Sequence, residues 1–191
     1  MVTFIFDTET TGLLPKNASN VSDNKIWESC RLVQIAWQKY DNARNLIDKQ
    51  CFIIKPDNYI IPDIAANIHG ITTDYALNHG ITINELIKIL SEVIEDVDVI
   101  VAHNINFDDL IIQSELYRYR AFDVYCQWSK IEKKCTMIMG KAAMKLKKWP
   151  KLIDLYQLCF PDIPLPNVKL HSADADTMLC TEIYFNLVGE F

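Results

Sequence analysis

Two short runs, residues 2–6 and 99–102, consist almost wholly of apolar residues, most of them β-branched or aromatic, and each breaks off into a polar turn. A run without polar alternation has no face to give to water, which is the pattern of a strand covered on both sides. A sheet containing such strands requires helices on its faces.

The remaining sequence supplies both. Residues 32–40 and 46–55 are β-like and flank Asp41-Asn42-Ala43-Arg44, which suits a hairpin turn, so three successive strands make an antiparallel meander. Residues 15–29 are polar and turn-rich and read as a long loop anchored by Trp27. A short helix is expected at 62–69, ending at Gly70. The clearest helix follows Thr82, which forms a capping box with Glu85 ahead of apolar residues at helical spacing from Ile83 to Val97. Further helices are expected at about 104–119, 150–159 and 172–188. The fold class is α/β, a mixed sheet of an antiparallel meander plus parallel strands, flanked by helices.

At 191 residues, half of them hydrophobic, the chain suits one core, and 1–191 reads as a single domain. No apolar run nears the roughly eighteen residues of a membrane span and the start lacks a signal-type segment, so an intracellular, cytoplasmic location is expected. Six cysteines without a C-x-x-C pair read as reduced core thiols. The glycosylation-type patterns at Asn17 and Asn20 carry no chemistry without a secretory signal. A net charge of −6 argues against a generally basic surface for nucleic acid. Residues 118–151, however, hold ten basic residues against Asp123 and Glu132, a local +8 that leaves −14 elsewhere. Such a segment either tracks a phosphate backbone or forms a solvated helix face.

Three acidic motifs sit where strands end and helices begin. Asp7-Thr8-Glu9 closes the first strand, where residues two apart share a face, so both carboxylates look into one place. Two charges about 5 Å apart repel by roughly 3 kcal/mol at an effective dielectric of 20, which calls for a cation or a proton. Hard oxygen ligands favour magnesium or manganese. An acidic turn running into solvent would read the same. His103-Asn104-Ile105-Asn106-Phe107-Asp108 follows the second buried strand, where ligands gather in α/β sheets. Capping by Asn104 or Asn106, with Asp108 or Asp109 as first-turn acids, accounts for it without function. His171-Ser172-Ala173-Asp174-Ala175-Asp176 opens the last helix, with Ser172 the natural N-cap. There His171 and Asp176 face one cavity, or the segment is only an acid-rich helix start.

Together, four carboxylates and a histidine supply what two-metal phosphodiester hydrolysis requires. Through FIFDTETTGL, HNINFDDLII and HSADADTML, the last with an H-x-x-x-x-D spacing, the chain resembles the DEDD-type exonucleases of the histidine subclass. That class includes the proofreading epsilon subunit of bacterial DNA polymerase III. Ile68-His69-Gly70-Ile71-Thr72 and WPKLIDLYQLCF extend the resemblance over nearly the whole chain. It implies a ribonuclease H-like fold and a 3'-to-5' exonuclease with two Mg²⁺ per site, Mn²⁺ substituting, that acts on single-stranded or frayed 3' ends and releases nucleoside 5'-monophosphates. By the same resemblance Asp7 bridges both metals, Glu9 and Asp176 hold the metal that activates water, and Asp108 acts on the second metal through water. His171 is then the general base, a task suited to imidazole.

Thr10, Gly12 and Leu13 in the turn after the first motif, and Phe107, resemble the lining of a terminal-nucleotide pocket, with Thr10 and adjacent backbone at the 3' hydroxyl. Phe107 serves equally as core. His69 is the histidine expected to touch that pocket, while His79 and His103 are supporting or incidental. The family spacing selects Asp108 over Asp109 and Asp176 over Asp174. The chain departs from the proofreading pattern at Cys135-Thr136-Met137, where an Asp-Thr-Leu-like stretch is common, and in its longer loop after the first motif. DNA is the favoured substrate. A 3'-to-5' exoribonuclease and an inactive nucleic-acid-binding adaptor are the competing readings. The chain is expected to act alone, as a homodimer or beside a polymerase, and away from membranes.

Overall fold

The computed structural model describes residues 1–166 and 171–189. β1 (Thr3–Thr10) runs on past its apolar start to include Asp7 and Glu9. A 3-10 turn at Ile26–Ser29 interrupts the long loop, where Trp27 is buried and its indole N–H donates to the Asn20 carbonyl at 3.1 Å. β2 (Leu32–Tyr40) and β3 (Leu46–Ile53) complete the meander around a turn in which the Asp41 carboxylate accepts from the N–H groups of Ala43 and Asn45. Next come α1 (Asp63–His69), α2 (Thr73–His79), α3 (Ile83–Val93) and β4 (Val99–Ala102). They are followed by α4 (Ile105–Arg118), α5 (Phe122–Lys130), β5 (Glu132–Cys135), α6 (Thr136–Ala143), α7 (Leu152–Cys159) and α8 (Ala173–Leu187). The sheet order is β3-β2-β1-β4-β5, antiparallel from β1 to β3 and parallel from β1 through β4 to β5.

Alternation along β1 divides the interior into two layers. Phe4 and Phe6 join the cluster that contains residues of α3, α4 and α5, with Trp128 edge-on to both rings. Ile5 joins Val99 and Val101 against Cys180 and Tyr184 of α8. Each fully buried side chain of this size stabilises the fold by roughly 1.5–3 kcal/mol.

Specific polar contacts fix the two helices that carry acids. At the start of α4, Asp108 accepts from both the N–H (3.1 Å) and the hydroxyl (2.6 Å) of Thr8. Further along α4, Glu115 accepts from Arg31 Nε (2.8 Å) and Nη2 (3.1 Å) and from the Leu32 N–H, joining the helix to the start of β2. α8 is strapped to β2 by the Ala173 N–H on Gln34 Oε1 (3.0 Å) and by the Thr177 hydroxyl on the Ala36 carbonyl (3.2 Å).

The structure corrects the sequence reading in several places. α2, α5, β5 and α6 were not anticipated; residues 118–151 are three elements and their turns, not one solvated helix face. β5 is an edge strand, which tolerates Glu132, Lys133 and Lys134. α6 has Gly140 at its centre because a Cβ there would come within 2.5 Å of the Leu155 methyls. The Thr82–Glu85 capping box is present, but its helix stops at Val93, and Ile94 and Val97 are buried beyond it. Ser172 occupies the N-cap position without a side-chain cap, its role being taken by Gln34 from across the sheet. Nor does Asn104 cap α4: it sits at φ 65° with no side-chain cap bond. Cys51 and Cys126 are exposed, so only some of the six thiols belong to the core.

Candidate active site

Asp7 and Glu9 leave the same face of β1, the face against which α8 is strapped. Asp176, in the first turn of α8, meets them there, and one oxygen from each of these three carboxylates lies within 4.8 Å of the others. The charge of His171 reaches the group at Asp176. Burial first, then the charges of Asp108, Asp176 and Glu9, hold the Asp7 carboxyl well above its ordinary range. Burial also raises Asp176, opposed by the charge of His171 and by the His171 backbone N–H bonded to its carboxylate. Three half-buried carboxylates gathered this closely fit a divalent cation, and an all-oxygen donor set fits Mg²⁺ or Mn²⁺.

Asp108 approaches from the other side of β1. It is buried, and desolvation pushes its carboxyl to about 7 despite the two Thr8 bonds that favour the charged form. It lies near enough to raise Asp7 but turns an oxygen to Thr8 and does not join the three-carboxylate group. His171 is exposed, in the left-handed region at φ 60°, directly before α8. A left-handed backbone at a non-glycine residue costs roughly 1–2 kcal/mol, and here it accompanies the N–H contact to Asp176.

The two rival acids are engaged elsewhere. Asp109 accepts from Trp128 Nε1 (2.7 Å) and Gln113 Nε2 (2.7 Å), and Asp174 pairs with Lys49 at 2.9 Å. Among the other histidines, His79 stacks on Tyr75 at the end of α2. His103 spans Thr136 Oγ1 (2.9 Å) and the Pro150 carbonyl (3.1 Å). Because a carbonyl only accepts, His103 Nε2 carries the proton and Nδ1 receives the Thr136 hydroxyl; burial lowers its pKa and keeps it neutral.

A cavity of about 440 Å³ opens beside Glu9. Thr10, Gly12, Leu13, His69 and Phe107 all border it, together with Ile64 and Ile68 of α1, which the sequence reading did not single out. Its shape depends on the turn after β1. Thr10 Oγ1 donates to the Gly12 carbonyl at 2.7 Å, as does the Cys30 thiol at 3.0 Å, and Thr11 is tied to residues 29–31. A Cβ at Gly12 would lie 3.0 Å from the Ser29 carbonyl, so the close approach of the loop favours glycine there. His69 is buried, with Nδ1 accepting from the Ile71 N–H at 3.1 Å, which leaves the ring proton on Nε2.

Thr8 and Cys180 were also missed. Thr8 is the residue between the two acids of the first motif, whose opposite orientation makes it the clamp on Asp108. Cys180 lies one turn beyond Asp176, 3.6 Å from Thr136 Oγ1, and the charges of Asp7 and Asp108 add to burial in raising its thiol.

Solved structures with this fold include exonuclease I of E. coli bound to a dA16 oligonucleotide (22% identity, TM-score 0.72) and to a dT13 oligonucleotide with a 5cy label (23%, 0.74). A zinc-bound form of its complex with single-stranded DNA is also similar (22%, 0.74). In each the match covers 98% of this chain and 40% of the other, so the chain spans about two fifths of those proteins. The mixed sheet and its flanking helices thus form a ribonuclease H-like exonuclease fold. A search of curated proteins gives no match. The RNase_T exonuclease model matches residues 4–184, which takes in β1 with its two acids, α4 with Asp108 and α8 with Asp176; the chain belongs to that exonuclease family.

Proposed function

We propose that this chain is a 3'-to-5' exonuclease of the DEDD type, histidine subclass, that removes nucleoside 5'-monophosphates from single-stranded or frayed 3' ends of DNA. The observation that carries this reading is the convergence of Asp7, Glu9 and Asp176 at the edge of an apolar cavity of nucleotide size. Asp7, Glu9 and Asp176 would hold Mg²⁺, and Asp108, set one residue across β1, would serve a second ion. Bound divalent ions supply charge stabilisation for in-line displacement at phosphorus. The chain's own residues do the rest. His171 receives the proton of the attacking water, its position fixed by the backbone contact to Asp176. Phe107, Ile64 and Ile68 offer apolar surface to the terminal base and sugar, and the Thr10–Gly12 turn faces the 3' hydroxyl.

Residues 1–191 act as one catalytic unit in this reading. DNA is favoured over RNA because the similar exonuclease I structures hold DNA oligonucleotides. An inactive adaptor would have no use for three converging carboxylates, whose mutual repulsion weakens a metal-free fold. Digestion of 5'-labelled single-stranded DNA, a duplex with a mispaired 3' end, and single-stranded RNA, each with Mg²⁺ or Mn²⁺, tests the proposal. Stepwise shortening of the DNA from its 3' end is expected, slowed by about a hundredfold or more in Asp7→Asn. Internal cuts, or undiminished digestion by Asp7→Asn, would overturn it, and faster digestion of RNA would move the substrate to that class.

A further inference from the structure

From Lys133 to Ile153 the sequence has seven lysines and no acid. The fold divides them. Lys133 donates to the carbonyls of Trp128 (2.6 Å) and Ile131 (2.8 Å), and Lys134 lies 3.7 Å from Glu132, so both are used in placing β5. Lys145, Lys147, Lys148 and Lys151 are all exposed in the connection between α6 and α7. Among the described residues, no ion pair reaches any of these four. Within the same connection Trp149 is 57% exposed, with the Lys141 ammonium 3.7 Å from its ring centroid. An indole of that exposure offers ring surface for stacking.

This connection is not a remote loop. The carbonyl of Pro150 accepts from His103, in the two-residue turn between the end of β4 and the start of α4. The other nitrogen of His103 is held by Thr136 at the start of α6, whose hydroxyl also lies beside Cys180 of α8. The lysines therefore hang from the turn that launches the Asp108 helix, at the end of the sheet where the carboxylates converge. Elsewhere the chain is acidic and repels phosphate.

We propose that the 145–151 connection is a second binding site for the substrate strand, holding the phosphodiester backbone of nucleotides that lie outside the terminal-nucleotide cavity, with Trp149 stacking on a base. The site rests on the exonuclease reading for its occupant, single-stranded nucleic acid. It accounts for how an acidic protein retains a polyanion. A strand that reaches both cavity and lysines is held better than a dinucleotide, which fills only the cavity.

The test compares wild-type protein with Lys145→Gln/Lys147→Gln/Lys148→Gln and with Trp149→Ala. The triple Lys55→Gln/Lys88→Gln/Lys130→Gln removes equal charge from exposed lysines elsewhere. Binding of a fluorescent 12-nucleotide oligo-dT is measured by anisotropy in Ca²⁺ over a range of salt, and hydrolysis of that strand and of dTpdT is measured in Mg²⁺. The first triple should weaken 12-mer binding by about tenfold or more at low salt and reduce the slope of log Kd against log salt by about 2, near 0.7 per lost phosphate contact. Trp149→Ala should weaken it by about fivefold or more. Hydrolysis of dTpdT should stay within about twofold, as contacts to the dinucleotide are untouched. Unchanged affinity and slope, equal weakening by the control triple, or parallel loss on dTpdT and the 12-mer would each overturn the proposal. If the wild type hydrolyses neither substrate, the exonuclease reading fails, and the binding arms still decide whether the lysines hold a strand.

Discussion

Two of the places where charge enters the interior of this protein are built in opposite ways. At Arg31 and Glu115, with side chains 7% and 4% exposed, a guanidinium and a carboxylate meet through two hydrogen bonds and the Leu32 N–H takes a further share of the carboxylate. Every desolvated charge there has its partner. At Asp7, Glu9 and Asp176 three groups of one sign converge instead of meeting an opposite charge in a bidentate pair. The first arrangement is complete in the protein alone and joins α4 to β2. The second gathers like charges that suit a cation from outside, which is why it reads as a site and the first as structure.

The comparison breaks most readily at Asp7. Asp7→Asn should lower exonuclease turnover by about a hundredfold to a thousandfold, the scale on which removal of one preorganised electrostatic group is felt. It should also raise the melting temperature of metal-free protein, because repulsion is relieved. A turnover loss with a fall in that temperature would mean that the residue is structural. Glu115→Gln should do the reverse. It leaves Arg31 buried without its counter-charge and should cost about 3–5 kcal/mol in denaturant unfolding, while turnover per folded molecule is kept.

The pH dependence sharpens the contrast. Burial and like charge raise the Asp7 carboxyl, and burial raises that of Asp108 to about 7, above the value near 4 of an unfolded chain. The folded protein therefore holds protons that the unfolded chain has lost, and these groups stabilise it below about pH 4 and cease to do so as the pH passes about 7. Metal-free protein should melt lower at pH 7.5 than at pH 5. Mg²⁺ or Mn²⁺ should restore more at the higher pH, by about 2.7 kcal/mol at a hundred times Kd. Asp7→Asn should flatten both trends. A metal-free melting temperature that rises over this interval would contradict the assignment. The smallest effect is expected at Asp174, whose pair with Lys49 is nearly half exposed. Asp174→Asn should change stability by less than about 1 kcal/mol and leave turnover alone.

Much of this was legible beforehand because it is written in local pattern. The two buried runs, the capping box at Thr82 and the acid-bearing starts of the last helices depend on residues a few positions apart. The elements that escaped notice depend on distant neighbours. Glu132, Lys133 and Lys134 form a strand only because Val99–Ala102 lies beside them, and α6 tolerates Gly140 only because Leu155 fills the space. The cavity was read as a list of positions matching a family, whereas Ile64 and Ile68 emerge only when α1 is laid against the turn after β1.

By itself, the sequence determined a mixed α/β architecture and the placing of acids at strand and helix ends, because side-chain periodicity and capping act within a turn or two of chain. It also set the direction of Asp7 and Glu9, since residues two apart on a strand share a face. Only the tertiary structure decided which acids meet. Asp109 and Asp174 are of the same residue type as Asp108 and Asp176 and adjacent or nearly so in sequence, yet Asp109 is engaged by Trp128 and Gln113 and Asp174 by Lys49. Convergence of like charge is a property of how α8 and α4 seat on opposite sides of β1, and the long-range bonds from Gln34, Ala36 and Thr8 set that seating.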